Sequence, residues 1–207
     1  MFVGSHYRIG TFVYKSVITK FQKGTLINQF LFKCGNVLPD VHHKLAQVDH
    51  HLEFTLDYVK DHIKIFQDQS IPSYRRSISL GIVCHFISDY FCTYHALAPY
   101  KNHSTLKHLI YELKLHLHLC YYLLFPKQLQ EKLAINIATK YPDIQTMIHT
   151  IQRDYFKEKT CIMNDILFSL RASSIAVAHL QENPVISLDN VIEMMSWSQT
   201  GYERSYQ

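Results

Sequence analysis

The chain has 207 residues, 47% of them hydrophobic, and a net charge of +4, which fits one domain with a sizeable core and leaves little room for a second. Its Lys and Arg are scattered rather than clustered, against a nucleic-acid footprint, and no apolar run reaches the roughly 18 residues that span a bilayer. Five cysteines without a CxxC pair argue for reduced thiols, with neither a disulfide framework nor a thiolate zinc knuckle.

Apolar residues recur at three- and four-residue spacing nearly throughout, and strand-length alternation is scarce. The expected fold is therefore all-α, a single compact multi-helix domain over residues 1–207. The opening MFVGSHYRIGTFVYKSVITKF lacks a basic segment ahead of an apolar core, and it lacks a small-residue cleavage site. No secretory signal is recognised, so the expected location is intracellular and cytoplasmic. Helices are expected near 7–22 and 25–34. Gly35 and Pro39 then break the chain before a helix near 48–68, and QDQSIPS separates that helix from one near 73–94. ALAPYKN closes the latter, a helix near 103–124 follows, and FPK ends it. Further helices are expected near 127–140, 143–157 and 161–181, with Ser187 as the N-cap of a last one near 187–197.

One count stands out: 14 histidines, about three times the usual frequency of roughly 2%. Histidine is the commonest metal ligand and the commonest proton carrier near neutral pH. In CHFISDYFCTYH, residues 84–95, two imidazoles and a carboxylate interrupt core-type residues. A buried carboxylate is costly unless paired or bound to a cation, so this stretch is either partly solvated or occupied. His85 and Asp89 are four apart on one helix face, as are His108 and Glu112 on the next helix. Such a spacing suits two ligands of one ion, and it equally suits a surface pair. His95 lies six beyond Asp89, off that face of a continuous helix, so a break near Thr93–Pro99 is expected to swing it aside. Two such pairs on neighbouring helices of a bundle can converge on a metal. His116 lies four beyond Glu112 and offers an alternative register for that pair. Tyr90, Phe91, Tyr94 and Tyr100 are candidates either for a cleft or for the core.

SLGIVCHFISDYFCTYHA resembles the segment of the zinc-dependent phospholipase C family that reads LG, a spacer, then H[YF]xxDxxxxxHA; the wider superfamily includes the S1/P1-type nucleases. The likeness continues in chain order. GSHYRIG is similar to the N-terminal family helix with an early histidine, here His6. GNVLPDVHH resembles the segment with an acidic ligand, here Asp40. DHHLEFTLDYV is similar to an HxxExS helix start, favouring His50 over His51, and HLIYE resembles HxxYE, giving His108 and Glu112. The resemblance covers about residues 4–113.

What the resemblance implies is a set of nine groups holding two to three Zn2+ ions. Asp40, His50, His85 and Asp89 would hold one, and His95, His108 and Glu112 a second. His6, a bridging Asp89 and the α-amino group of Met1 would hold a third. It implies a metal-dependent phosphodiester hydrolase of the phospholipase C type, with a metal-bound hydroxide attacking phosphorus, Asp40 orienting the water and Asp89 joining two ions. The substrate would be a phospholipid or another phosphodiester, with transient contact to a membrane surface. The alternatives are an S1/P1-type single-strand nuclease or 3′-nucleotidase, which would bring in nucleic acid, and a non-catalytic zinc-binding bundle. The chain departs from the family at its start: the family begins on a tryptophan freed by signal removal, whereas this sequence begins Met1-Phe2 and has its only tryptophan at 197.

Overall fold

The computed structural model describes residues 1–19, 27–43, 45, 50–96, 105–124, 129, 133 and 141–182. Every regular element among them is helical. They are α1 (Val3–Val13), running into a π-helical turn at Tyr14–Ile18, then α2 (Gln29–Gly35), α3 (Leu38–Val41) and α4 (Leu52–Gln67). After them come α5 (Ser73–Asp89), α6 (Thr93–Ala96), α7 (Thr105–Leu124), α8 (Ile144–Tyr155) and α9 (Ile162–Glu182). No helix among the described residues is long and apolar enough to cross a membrane.

The all-α expectation agrees with this architecture, and the differences lie at helix ends. α1 begins four residues before the expected 7, because Phe2 is extended and its carbonyl accepts the first helical bonds from Ser5 and His6. Asn28 caps α2 by accepting from the Leu31 N–H, and Asp143 caps α8 through Thr146. The short α3 was not expected. Pro39 sits in its first turn, where a missing N–H costs nothing. The expected helix 73–94 ends at Asp89, and α6 starts after a break at Tyr90–Cys92, ahead of the expected Thr93–Pro99. The segments expected as helices at 127–140 and 187–197 lie outside the described residues, apart from Leu129 and Leu133, which are both buried.

α5 is the central element. From Arg76 to Asp89 nearly every residue is buried, so the helix carries apolar side chains around its circumference instead of one stripe. It packs against α2, α4, α9 and α1. Against α2 the two backbones touch. A Cβ on Gly81 would run into the Phe32 carbonyl oxygen, and one on Gly35 into that of Ile78. On the other side, α9 offers a run of small residues (Ala172, Ser173, Ser174, Ala176). From this helix Ser169 donates to the Ser88 carbonyl at 2.8 Å. The core of Ile9, Val13, Phe32, Leu80, Val83, Phe86, Ile87, Leu115 and Met147 surrounds α5. Its C-terminal turn, with His85 and Asp89, therefore ends in the middle of the protein.

Candidate metal centre

Six helices bring polar groups to that end of α5. Asp89 is fully buried, and so are His6 from α1 and His85 from α5 itself. His50, just ahead of α4, is nearly so, and Asp40 comes from α3. His95 arrives from α6, and His108 and Glu112 from α7. The candidate ligand atoms fall into three sets, each within 4.8 Å: His6, His85 and Asp89; Asp40, His50 and His85; and His95, His108 and Glu112.

Asp89 lies at the centre of the first two sets. Its Oδ2 is 3.0 Å from His50 Nδ1 and 3.3 Å from His85 Nε2, while its Oδ1 is 3.3 Å from His6 Nε2 and 2.7 Å from the Met1 amine. Asp40 reaches His6 at 3.6 Å, His85 at 3.7 Å and His50 at 3.9 Å. In the third set Glu112 Oε1 is 2.8 Å from His108 Nε2 and 3.2 Å from His95 Nε2. The Met1 amine lies between the sets, 3.1 Å from His95 Nε2 and 3.4 Å from Glu112. All nine sequence-expected groups thus fall in one cluster. Of the two alternatives at 50–51, His50 points into it, and His51 lines a neighbouring cleft.

The hydrogen bonds behind these groups fix which ring nitrogens face the centre. Ser88 Oγ donates its one proton to the His85 carbonyl at 2.7 Å, so His6 Nδ1, 3.1 Å away, must donate to it. A neutral His6 then carries its proton on Nδ1 and presents a bare Nε2 to Asp89 and Asp40. His85 Nδ1 likewise donates to the Asn36 carbonyl at 3.0 Å, leaving Nε2 toward the same two carboxylates. The Gly81–Gly35 contact puts Asn36 within that reach. His6 Nε2, Asp40 Oδ2 and His50 Nε2 are buried without a hydrogen-bond partner among the described residues. Electron pairs converging from imidazoles and carboxylates are the surroundings of a divalent cation, and this N/O set suits zinc. The residues present fit the ion.

The charges agree with that arrangement. Burial, with His85 stacked at 3.8 Å, pulls His6 down to about 4, so it is neutral near pH 7. Burial opposes the charge of Asp89, yet the Met1 ammonium, His6, His95 and His85 hold its carboxyl well below the usual range. Burial also opposes the charge of Glu112, and the bonds from His108 and His95 hold it low. His95 is pulled down by burial and the nearby amine. Against burial, the Asp89 bond raises His50. Burial also works against the Met1 ammonium, and the carboxylates Asp89 and Glu112 outweigh it, pushing the amine up to about 12.

Other expectations are corrected. His116 does not pair with Glu112; its Nδ1 lies 3.2 Å from Ser5 Oγ. Tyr90 and Phe91 belong to the core, and Tyr94 stacks on His108 at 4.6 Å. Tyr100 lies outside the described residues. Spacing within the sequence did not point to Ser88 or the Asn36 carbonyl, which act only across long separations. A cleft of about 240 Å3 opens beside His95, lined by His51, Leu52, Glu53, Phe54, Ala96, His149, Gln152 and Phe156.

A family profile described as zinc dependent phospholipase C matches residues 5–162, which contain every member of the cluster except Met1. No curated protein and no solved structure matches. With its donor set and this match over most of its length, the chain belongs to the zinc-dependent phospholipase C family.

Proposed function

We propose that this protein hydrolyses phosphodiesters, phospholipids first among them, at a centre of two to three zinc ions. The ligands are Asp40, His50, His85 and Asp89 for one ion and His95, His108 and Glu112 for a second. A third lies between Asp89, His6 and the Met1 amine. The observation that carries this reading is the pair of imidazoles, His6 and His85, whose Nδ1 bonds leave both Nε2 atoms facing carboxylates with no proton between. Bound zinc supplies Lewis acidity, polarising phosphoryl oxygens and bringing the pKa of water near neutrality.

The chain's own groups do the rest. Asp40, with one oxygen lacking a hydrogen-bond donor, takes the proton of the attacking water as the new O–P bond forms. The bond from phosphorus to the glycerol oxygen breaks, and that oxygen leaves as the diacylglycerol hydroxyl once protonated, with the head group released as its phosphate. Asp89, Ser88 and Asn36 keep their neighbours in register and hold the imidazole tautomers. The cleft beside His95 admits the diester from the protein surface, where contact with a membrane delivers a lipid.

Purified protein should contain two to three zinc ions by elemental analysis and should hydrolyse p-nitrophenyl phosphocholine and phosphatidylcholine vesicles. Running single-stranded DNA and nucleoside 3′-monophosphates in parallel separates the readings. Hydrolysis confined to those two substrates makes the protein a nuclease or nucleotidase, and full zinc with no hydrolysis makes it a non-catalytic bundle. A folded protein without zinc removes the proposal.

A further inference from the structure

We propose that Asp165 is a positioning residue for the His95–His108–Glu112 end of the centre, an inference that rests on the zinc reading of that site. Asp165 lies in the first turn of α9, is fully buried, and falls just beyond the family match. Its carboxylate accepts four hydrogen bonds, two on each oxygen. Thr93 Oγ1 donates to Oδ1 at 3.0 Å and the Tyr155 hydroxyl at 2.8 Å. The Thr93 N–H donates to Oδ2 at 2.8 Å and the Tyr111 hydroxyl at 2.7 Å. That fills the lone pairs of both oxygens.

The donors are placed where the ligands are. Thr93 opens α6 two residues ahead of His95, and Tyr111 precedes Glu112 and follows His108 by three. One carboxylate therefore pegs both segments that carry this ligand set, and Tyr111 also lies 3.2 Å from Thr93 Oγ1, locking α6 to α7. α6 has only four residues and follows a break in the chain, so its own hydrogen bonds set His95 weakly. The tie to Asp165 sets it from outside. All four donors are neutral. They satisfy the oxygens and leave the negative charge uncompensated, which burial makes costly, as its raised pKa reflects. A divalent cation held two residues away from these pegs offsets that charge. Groups that orient ligands in this way typically contribute 10–100-fold to metal affinity.

The test is a stepwise cobalt titration of metal-free protein, followed by visible absorption, for wild type, Asp165→Asn, Tyr111→Phe and Tyr155→Phe. Asp165→Asn should weaken one ion about 10–100-fold and leave the ion or ions around Asp89 at wild-type affinity. Tyr111→Phe should weaken the same ion by less, and Tyr155→Phe, which frees only α8, should lower the melting temperature without changing cobalt affinity. Wild-type affinity for all ions in both Asp165→Asn and Tyr111→Phe overturns the proposal, and so does an equal loss at every ion. If Asp165→Asn does not fold, Tyr111→Phe and Thr93→Val decide by the same criterion. A wild-type protein that binds no cobalt instead sinks the zinc reading itself.

Discussion

A carboxylate with no exposed surface persists in a helix only where other charges offset its lost hydration. Around Asp89 those are a terminal ammonium and three imidazoles, an arrangement that a metal would strengthen. Asp89→Asn keeps the shape and removes the charge shared by two of the ligand sets. It should reduce diester hydrolysis on the order of 100-fold or more, beyond any single histidine change, with zinc content falling in step. His50→Ala should lose zinc, whereas His51→Ala, which alters only the cleft wall, should keep it; elemental analysis separates the two. pH acts on the same residues. Between pH 6.5 and about 4 the unfolded chain protonates His6 and the folded metal-free chain does not. The unfolded state then binds more protons, so stability falls as pH drops through that window, by about 3 kcal/mol from this group. His50, raised by Asp89, runs the other way. Asp89 and Glu112, both depressed, lose their contribution as pH falls further. Denaturant titrations of chelated protein should show the His6 limb, and His6→Gln should flatten it.

Among the elements, α5 is decisive because it is buried on all sides and meets α2 at backbone contact. Gly81→Ala places a methyl against the Phe32 carbonyl, where neither partner is a flexible side chain. It should cost about 1–3 kcal/mol or more and shift Asn36 from His85, so zinc affinity should drop with the melting temperature. Gly35→Ala should do the same from the opposite side. Most helices were legible in the sequence, since three- and four-residue spacing of apolar residues is a local property. What escaped was also local in extent and nonlocal in cause. Nothing in YFC marks a stop, and α5 ends at Asp89 because the following turn fits between α4, α8 and α9: Tyr90 meets Thr55 Oγ1 at 2.8 Å, and Asp165 takes the Thr93 N–H. α3 escaped because four residues are too few to show a period.

For the whole molecule, the centre gathers α1, α3, α5, α6 and α7 with the residue ahead of α4. Bound zinc therefore cross-links segments far apart in sequence. Chelation should lower the melting temperature. At free zinc 100-fold above its dissociation constant, each ion adds about 2.7 kcal/mol to stability, so thermal scans with and without EDTA should report the ion count independently. The sequence by itself determined the helical class, the pairs His85–Asp89 and His108–Glu112, and the ordered ligand residues, because residue type and i,i+4 spacing survive without knowledge of packing. Only the tertiary structure decided which nitrogen each imidazole turns inward, that His50 and not His51 enters the cluster, and that Asp165 stands behind His95 and Glu112. Those outcomes depend on hydrogen bonds such as Asn36 to His85 and Thr93 to Asp165, which join residues 49 and 72 positions apart. Such bonds form only once the close contact of α2 with α5, and the seating of α9, have set the distances.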